Sequence, residues 1–183
     1  MSDYYFKNAA ADECIFVHVG SGTMHTGFGK IPFKKGDYIV VPRGVVYQME
    51  FDGEDNRLQI TESFSPIRFP RKYLSKQGHV MVDAPVLKRD YHPPQDLETF
   101  DAHGEFLVKI KKFHTMTDYV YATHPFDYVG WDGCCYPYSI SIYDFEPITG
   151  RIHQPPPVHQ QFEAHNFVIC SFVPRLFDYH PDA

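Results

Sequence analysis

The chain lacks a basic excess, a long apolar run and any paired-cysteine motif, and each absence closes off a class of function. Seventeen lysines and arginines stand against twenty-three aspartates and glutamates, a formal net charge of −6 over 183 residues. That balance offers no electrostatic footprint for nucleic acid. No apolar stretch approaches the ~18 residues that a membrane span requires. The opening MSDYYFKNAAADE has no basic-then-apolar leader, so a cytoplasmic protein without membrane partners is expected. The four cysteines, Cys14, Cys134, Cys135 and Cys170, show no CxxC spacing. They read as reduced, small apolar residues and not as a disulfide frame or zinc knuckle. Helical periodicity over ten or more residues is also missing.

What is present is aromatic and turn-rich. Phe 16, Tyr 13, Pro 15 and Gly 12 against a single Trp favour many short strands over long helices. The segments CIFVHVGSG, YIVVPRGVVYQMEF and NRLQITESF read as strands, and TMHTGFGKIPFKKGD, after the first of them, as a hairpin leading to a turn at Lys35-Gly36-Asp37. The strand YIVVPRGVVYQMEF is broken at Pro42-Arg43-Gly44 and then resumed. Residues 66–78 and 90–105 read as connectors, the first loop or short helix. Strands resume at EFLVKIKK, TDYVYATH, YSISIYDF and NFVICSFVP, the last expected to be buried. The predicted class is all-β.

Two spacings carry more than composition. Glu13 is followed by six residues and Gly20; Gly36 by five residues, Pro42, any residue, Gly44, two residues and Tyr47. The pattern resembles the two signatures of the cupin jelly roll, with glycines supplying tight turns and Pro42-Arg43-Gly44 bending the chain at the barrel rim. The metal chemistry of that family is not matched. Phe6 and Asn8 occupy the places of its HxH pair, and Tyr47 the place of its last histidine. A ferrous site needs about three converging nitrogen and carboxylate ligands, so Glu13 is expected to be a surface or turn carboxylate.

The stretch GRIHQPPPVHQQFEAHN holds His153, His159 and His165 at equal intervals around a stiff triple proline. As residues alone they could be loop histidines, adventitious metal ligands, or one functional base with bystanders. The surrounding blocks VGWDGCCYPY, DFEPITGRIH, PPPVHQ and NFVICSFVPR are more specific. Together they resemble the homogentisate 1,2-dioxygenase family in its bacterial form. The resemblance implies a ring-cleaving enzyme that takes a small aromatic substrate and O2, using non-haem Fe(II) on a two-barrel cupin scaffold. It implies that His153 is the acid/base acting on the substrate's ring hydroxyl, since a neutral imidazole with a pKa of about 6.5 can accept a phenolic proton. Tyr136 and Tyr138 are candidates to line an aromatic pocket, and Arg175 to pair with a substrate carboxylate. The family's iron ligands fall downstream of the matching blocks, so no metal ligand is assigned here. The chain is expected to be truncated at both ends relative to the family. It would comprise a cupin-like barrel without metal ligands over 1–110, and a linker with the start of a second barrel over 111–183. The alternative is a non-catalytic cupin-like module that assembles as a homo-oligomer to cover an exposed sheet edge.

Overall fold

A computed structural model describes residues 2–82, 84–128, 136–146 and 160–172. Its strands are β1 Tyr5–Asn8, β2 Asp12–Val19, β3 Ser21–Thr26, β4 Gly29–Lys34, β5 Asp37–Val41 and β6 Val46–Phe51. They continue with β7 Arg57–Ser63, β8 His103–Lys112, β9 Thr115–Thr123, β10 Tyr138–Ser141, β11 Gln160–Ala164 and β12 Phe167–Cys170. Only short 3-10 turns interrupt them, and no helix among the described residues is long and apolar enough to cross a membrane. The all-β expectation is met.

Two sheets face one another. The first runs β4-β3-β6-β1-β8-β9 and the second β10-β5-β2-β7, with β11-β12 a separate hairpin. All pairings are antiparallel except β1 with β8, which are parallel. Period-two alternation decides what each strand buries. On β2 and β5, Ile15, Val17, Ile39 and Val41 point between the sheets and meet Met24, Ile31, Phe33, Tyr47 and Met49. Their neighbours Cys14, Tyr38 and Val40, with Ile140 of β10, point to the outer face of the second sheet, where Ile67, Val86, Phe145 and Phe162 pack against them. Both faces of β5 are therefore dry, which is why it reads as the unbroken apolar run Tyr38–Val41 rather than an alternation. Truncating Ile15 to Ala would open a cavity costing about 2–5 kcal/mol.

The signature glycines do what their spacing requires. Gly20 has φ 102°, and a Cβ there would lie 2.1 Å from Asn56 Oδ1. Gly44, at φ 87°, donates its N–H to the Asn8 carbonyl at 2.8 Å and so ties the Pro42-Arg43-Gly44 turn to β1. That turn does not resume one strand, as the sequence suggested. It carries the chain from β5 in the second sheet to β6 in the first, because the left-handed glycine redirects the backbone.

Later segments return to the same two sheets. β8 runs through residue 110 and pairs with β1; β10 pairs with β5 and ends at Ser141, after which Ile142–Asp144 turn as a 3-10 helix. β12 is only partly buried, in contrast to its expected core position, since it lies on a two-stranded hairpin with one face open.

Candidate functional site

The open end of the sandwich, between β1, β6, β8 and β9 on one side and β2 and β7 on the other, holds a cavity of about 560 Å³. Its walls include Tyr4, Phe6, Ile15, Met49, Phe51 and Leu58, and its polar residues include Glu13, Tyr47, Glu62 and Lys111. Register brings them together. Phe6 lies opposite Tyr47, Asn8 opposite Lys111, and Glu13 opposite Glu62. The positions that the cupin signatures reserve for metal ligands thus converge around Glu13.

Glu13 is buried, 2% exposed, which corrects its reading as a surface or turn carboxylate: its place on β2 turns it inward, to the floor of this cavity. The Tyr47 hydroxyl donates to Glu13 Oε2 at 2.9 Å, and Asn8 Nδ2 donates to Glu13 Oε1 at 3.1 Å and to Glu62 Oε1 at 2.8 Å. The Asn8 amide orientation is fixed from its other side, where Oδ1 accepts the Ala10 and Ala11 N–H groups at 3.1 and 2.9 Å. Two carboxylates directly opposite on neighbouring strands repel. Here Asn8 bridges them, and Lys111 pairs with Glu62 across the mouth between the two sheets.

Burial raises the Glu13 carboxyl above its ordinary value, a shift opposed by the hydrogen bonds from Asn8 and Tyr47. Burial, reinforced by the Glu13 charge, drives the Tyr47 phenol well above its ordinary range. Tyr47 therefore stays protonated and remains a donor to the carboxylate.

This donor set decides whether iron fits. A metal site needs lone pairs converging on a cation. Around Glu13 the neighbours are instead a phenol O–H, an amide N–H and, beyond Glu62, an ammonium, all directed at carboxylate oxygens. Phe6, whose ring meets that of Tyr47 edge-on at 5.4 Å, offers no ligand atom. The polarity is the reverse of a ligand cage, and the residues present do not fit iron. No cluster of three or more His, Cys, Asp or Glu suited to a metal occurs among the described residues.

The residues singled out in the sequence fall elsewhere. His153 and Arg175 lie outside the described residues, as does His159. Tyr136 is half-buried just before β10. The Tyr138 ring packs against Tyr91 at 5.5 Å and Phe162 at 6.5 Å, on the outer face of the second sheet and away from the Glu13 cavity. Burial raises its phenol strongly. His165 sits exposed in the β11–β12 turn, its N–H bonded to Ser65 Oγ at 2.8 Å. His124 is held in an aromatic cluster, stacked on Phe100 at 4.2 Å with Nε2 3.0 Å from the Tyr5 hydroxyl. Its Nδ1 accepts the Phe126 N–H, which places the ring proton on Nε2. Glu62, Lys111 and the role of Asn8 were missed. Only strand register aligns them with Glu13, and nothing local in RLQITES or EFLVKIKK marks them.

Comparison with known proteins bears on the whole chain. The family model described as "Homogentisate 1,2-dioxygenase N-terminal" matches residues 1–144. A protein of Saccharolobus solfataricus named "Putative dioxygenase" is 42% identical over 179 residues, covering 98% of this chain and 46% of the relative. Proteins named "Homogentisate 1,2-dioxygenase" from Bradyrhizobium diazoefficiens and Rhodopseudomonas palustris are 26% and 28% identical, each over 81% of this chain and 32% of the relative. The chain thus spans between about a third and a half of the length of these relatives.

Proposed function

This chain belongs to the homogentisate 1,2-dioxygenase family, and we propose that it carries the metal-free first cupin-like barrel, over 1–110, and the start of the second, over 111–183, of an aromatic ring-cleaving dioxygenase that inserts both atoms of O2 into a dihydroxyphenyl substrate of the homogentisate type. The observation that carries the reading is the inverted site at Glu13. The ligand positions of a cupin are brought together and then filled by Tyr47, Asn8 and Phe6. This barrel builds and supports the enzyme, while the iron that ring cleavage uses is held by residues other than those around Glu13.

The chain's own contribution to the chemistry is His153. As a neutral imidazole it accepts the proton of a substrate ring hydroxyl and returns it as the ring opens. Tyr136, Tyr138 and Arg175 are the accompanying substrate contacts, the guanidinium fork suiting the carboxylate of a side chain such as an acetate. The experiment is O2 uptake with homogentisate, Fe(II) and reductant, run on this chain and on the longer polypeptide that contains it. Uptake by the longer form with consumption of one O2 per substrate supports the reading. Absence of uptake by a folded, iron-loaded longer form would leave the second reading, a non-catalytic cupin-like module.

A further inference from the structure

The cavity beside Glu13, at about 560 Å³, falls within the size range of pockets that hold small organic molecules. Register sorts its lining into an apolar and a polar end. Glu13 and Ile15 of β2 lie opposite Glu62 and Ile60 of β7, and residues directly opposite share a face. Leu58, Ile60 and Glu62 alternate along β7, so all three look into the same space. Phe6, Met49 and Phe51 complete the apolar wall from the first sheet. The polar end is where Asn8 joins Glu13 to Glu62 and Lys111 reaches across to Glu62.

What that end has to offer is acceptors. A carboxylate provides about four lone-pair sites. Glu13 and Glu62 between them receive four hydrogen bonds, one from Tyr47, two from Asn8 and one from Lys111. The single O–H of Tyr47 and both side-chain N–H groups of Asn8 are spent in making them. Both bonds to Glu62 end on Oε1, which leaves Oε2 to accept. Lys111 alone keeps N–H groups in hand, and its side chain stands at the mouth, where it reaches water. With both carboxylates ionised, two negative charges face one ammonium, an excess of one. A ligand that fits must therefore donate and be positive at one end, and be flat and apolar at the other. An anion is repelled, and a bare divalent cation would compete with O–H and N–H groups aimed at the oxygens it needs.

We propose that this cavity binds an aromatic primary amine, with its ammonium group between Glu13 and Glu62 and its ring against Phe6, Phe51 and Leu58. An ammonium brings three N–H groups to the unused acceptor positions, and a charged donor makes the stronger bond to a carboxylate. Lys111 sets the affinity by competing with the ligand for Glu62. The inference goes beyond the catalytic reading and does not depend on it.

Calorimetric titration with tryptamine is the test, compared with tryptophol, a neutral alcohol of the same shape, and indole-3-acetate, an anion. Tryptamine is expected to bind one per chain and about tenfold or more tighter than either. Glu13→Gln is expected to weaken tryptamine about tenfold or more. Lys111→Met, which removes the competing ammonium, is expected to tighten it about two- to fivefold. A chain merely loosened by substitution would lose affinity in both variants, and thermal melts check that each is folded. Ile60→Trp, on the cavity face at a position 51% exposed, is expected to abolish binding and leave the melt unchanged. Equal affinity for the three compounds, no binding of tryptamine up to its solubility, or weaker binding by Lys111→Met would overturn the proposal. So would a longer polypeptide that fails to bind tryptamine while this chain binds it, by showing that the rest of the polypeptide fills the cavity.

Discussion

Replacing Tyr47 with Phe removes one hydroxyl from the Glu13 site and leaves the ring contact with Phe6 in place. The lost interaction is a hydrogen bond to a buried carboxylate, 2.9 Å long, and such bonds contribute about 1.5–3 kcal/mol. For a domain of this size each kcal/mol moves the midpoint by ~2–4 °C, so Tm is expected to fall by ~3–12 °C at neutral pH. The pH dependence is the sharper signature. Glu13 has a folded pKa raised above its ordinary 4.5, burial outweighing the bonds from Asn8 and Tyr47. A carboxyl raised in the folded state costs stability above its unfolded pKa, and the cost is complete once the pH exceeds the folded value. Losing the Tyr47 donor raises that folded value further. The deficit of Tyr47→Phe is therefore full at neutral pH and shrinks as the pH falls through the raised pKa toward 4.5. Urea denaturation across pH 4.5–7.5 measures it. In a Glu13→Gln background the same substitution should cost only about 0.5–1.5 kcal/mol, the range of a neutral hydrogen bond, with no pH dependence. A deficit independent of pH, or one unchanged by Glu13→Gln, would refute the reasoning.

Because the ligand positions of the cupin pattern converge here, the triple substitution Phe6→His, Asn8→His and Tyr47→His should create a metal site that includes Glu13. Cobalt titration should then show a ligand-field absorption band that disappears when Glu13→Gln is added, and a triple variant that binds no cobalt would deny the convergence. Cys14 is buried, and desolvation pushes its thiol pKa up to about 12, so at neutral pH it is almost wholly thiol and unreactive. Peptide mapping after thiol labelling should find native Cys170 modified well before Cys14; early labelling of Cys14 would contradict the packing of the second core.

The sequence showed the β class, most strand positions and both signature turns, because these rest on local chemistry: Gly20 and Gly44 need a left-handed backbone, and β-branched runs need a pleat. β1 and β11 were not legible. Tyr5–Asn8 is four residues long, and Gln160–Ala164 reads as polar loop beside the prolines. The site was half legible. Spacing linked Glu13 to Phe6, Asn8 and Tyr47, yet a carboxylate that is buried only by its place on an inward-facing strand looks, in sequence, like any surface glutamate. Glu62 and Lys111 come from 49 and 98 residues away from Glu13 and meet it only through β2–β7 and β1–β8 register. Of the three histidines that stand out most in the sequence, only His165 lies among the described residues, as an exposed turn residue.

The most direct test of the central claim is the rate of homogentisate-dependent O2 uptake by the polypeptide carrying this chain, compared between the parent and His153→Gln at matched iron content and matched Tm. With His153 as the acid/base, kcat should fall by about 10²–10⁴. A parent that consumes no O2 with homogentisate, or a His153→Gln variant as fast as the parent, would contradict the account.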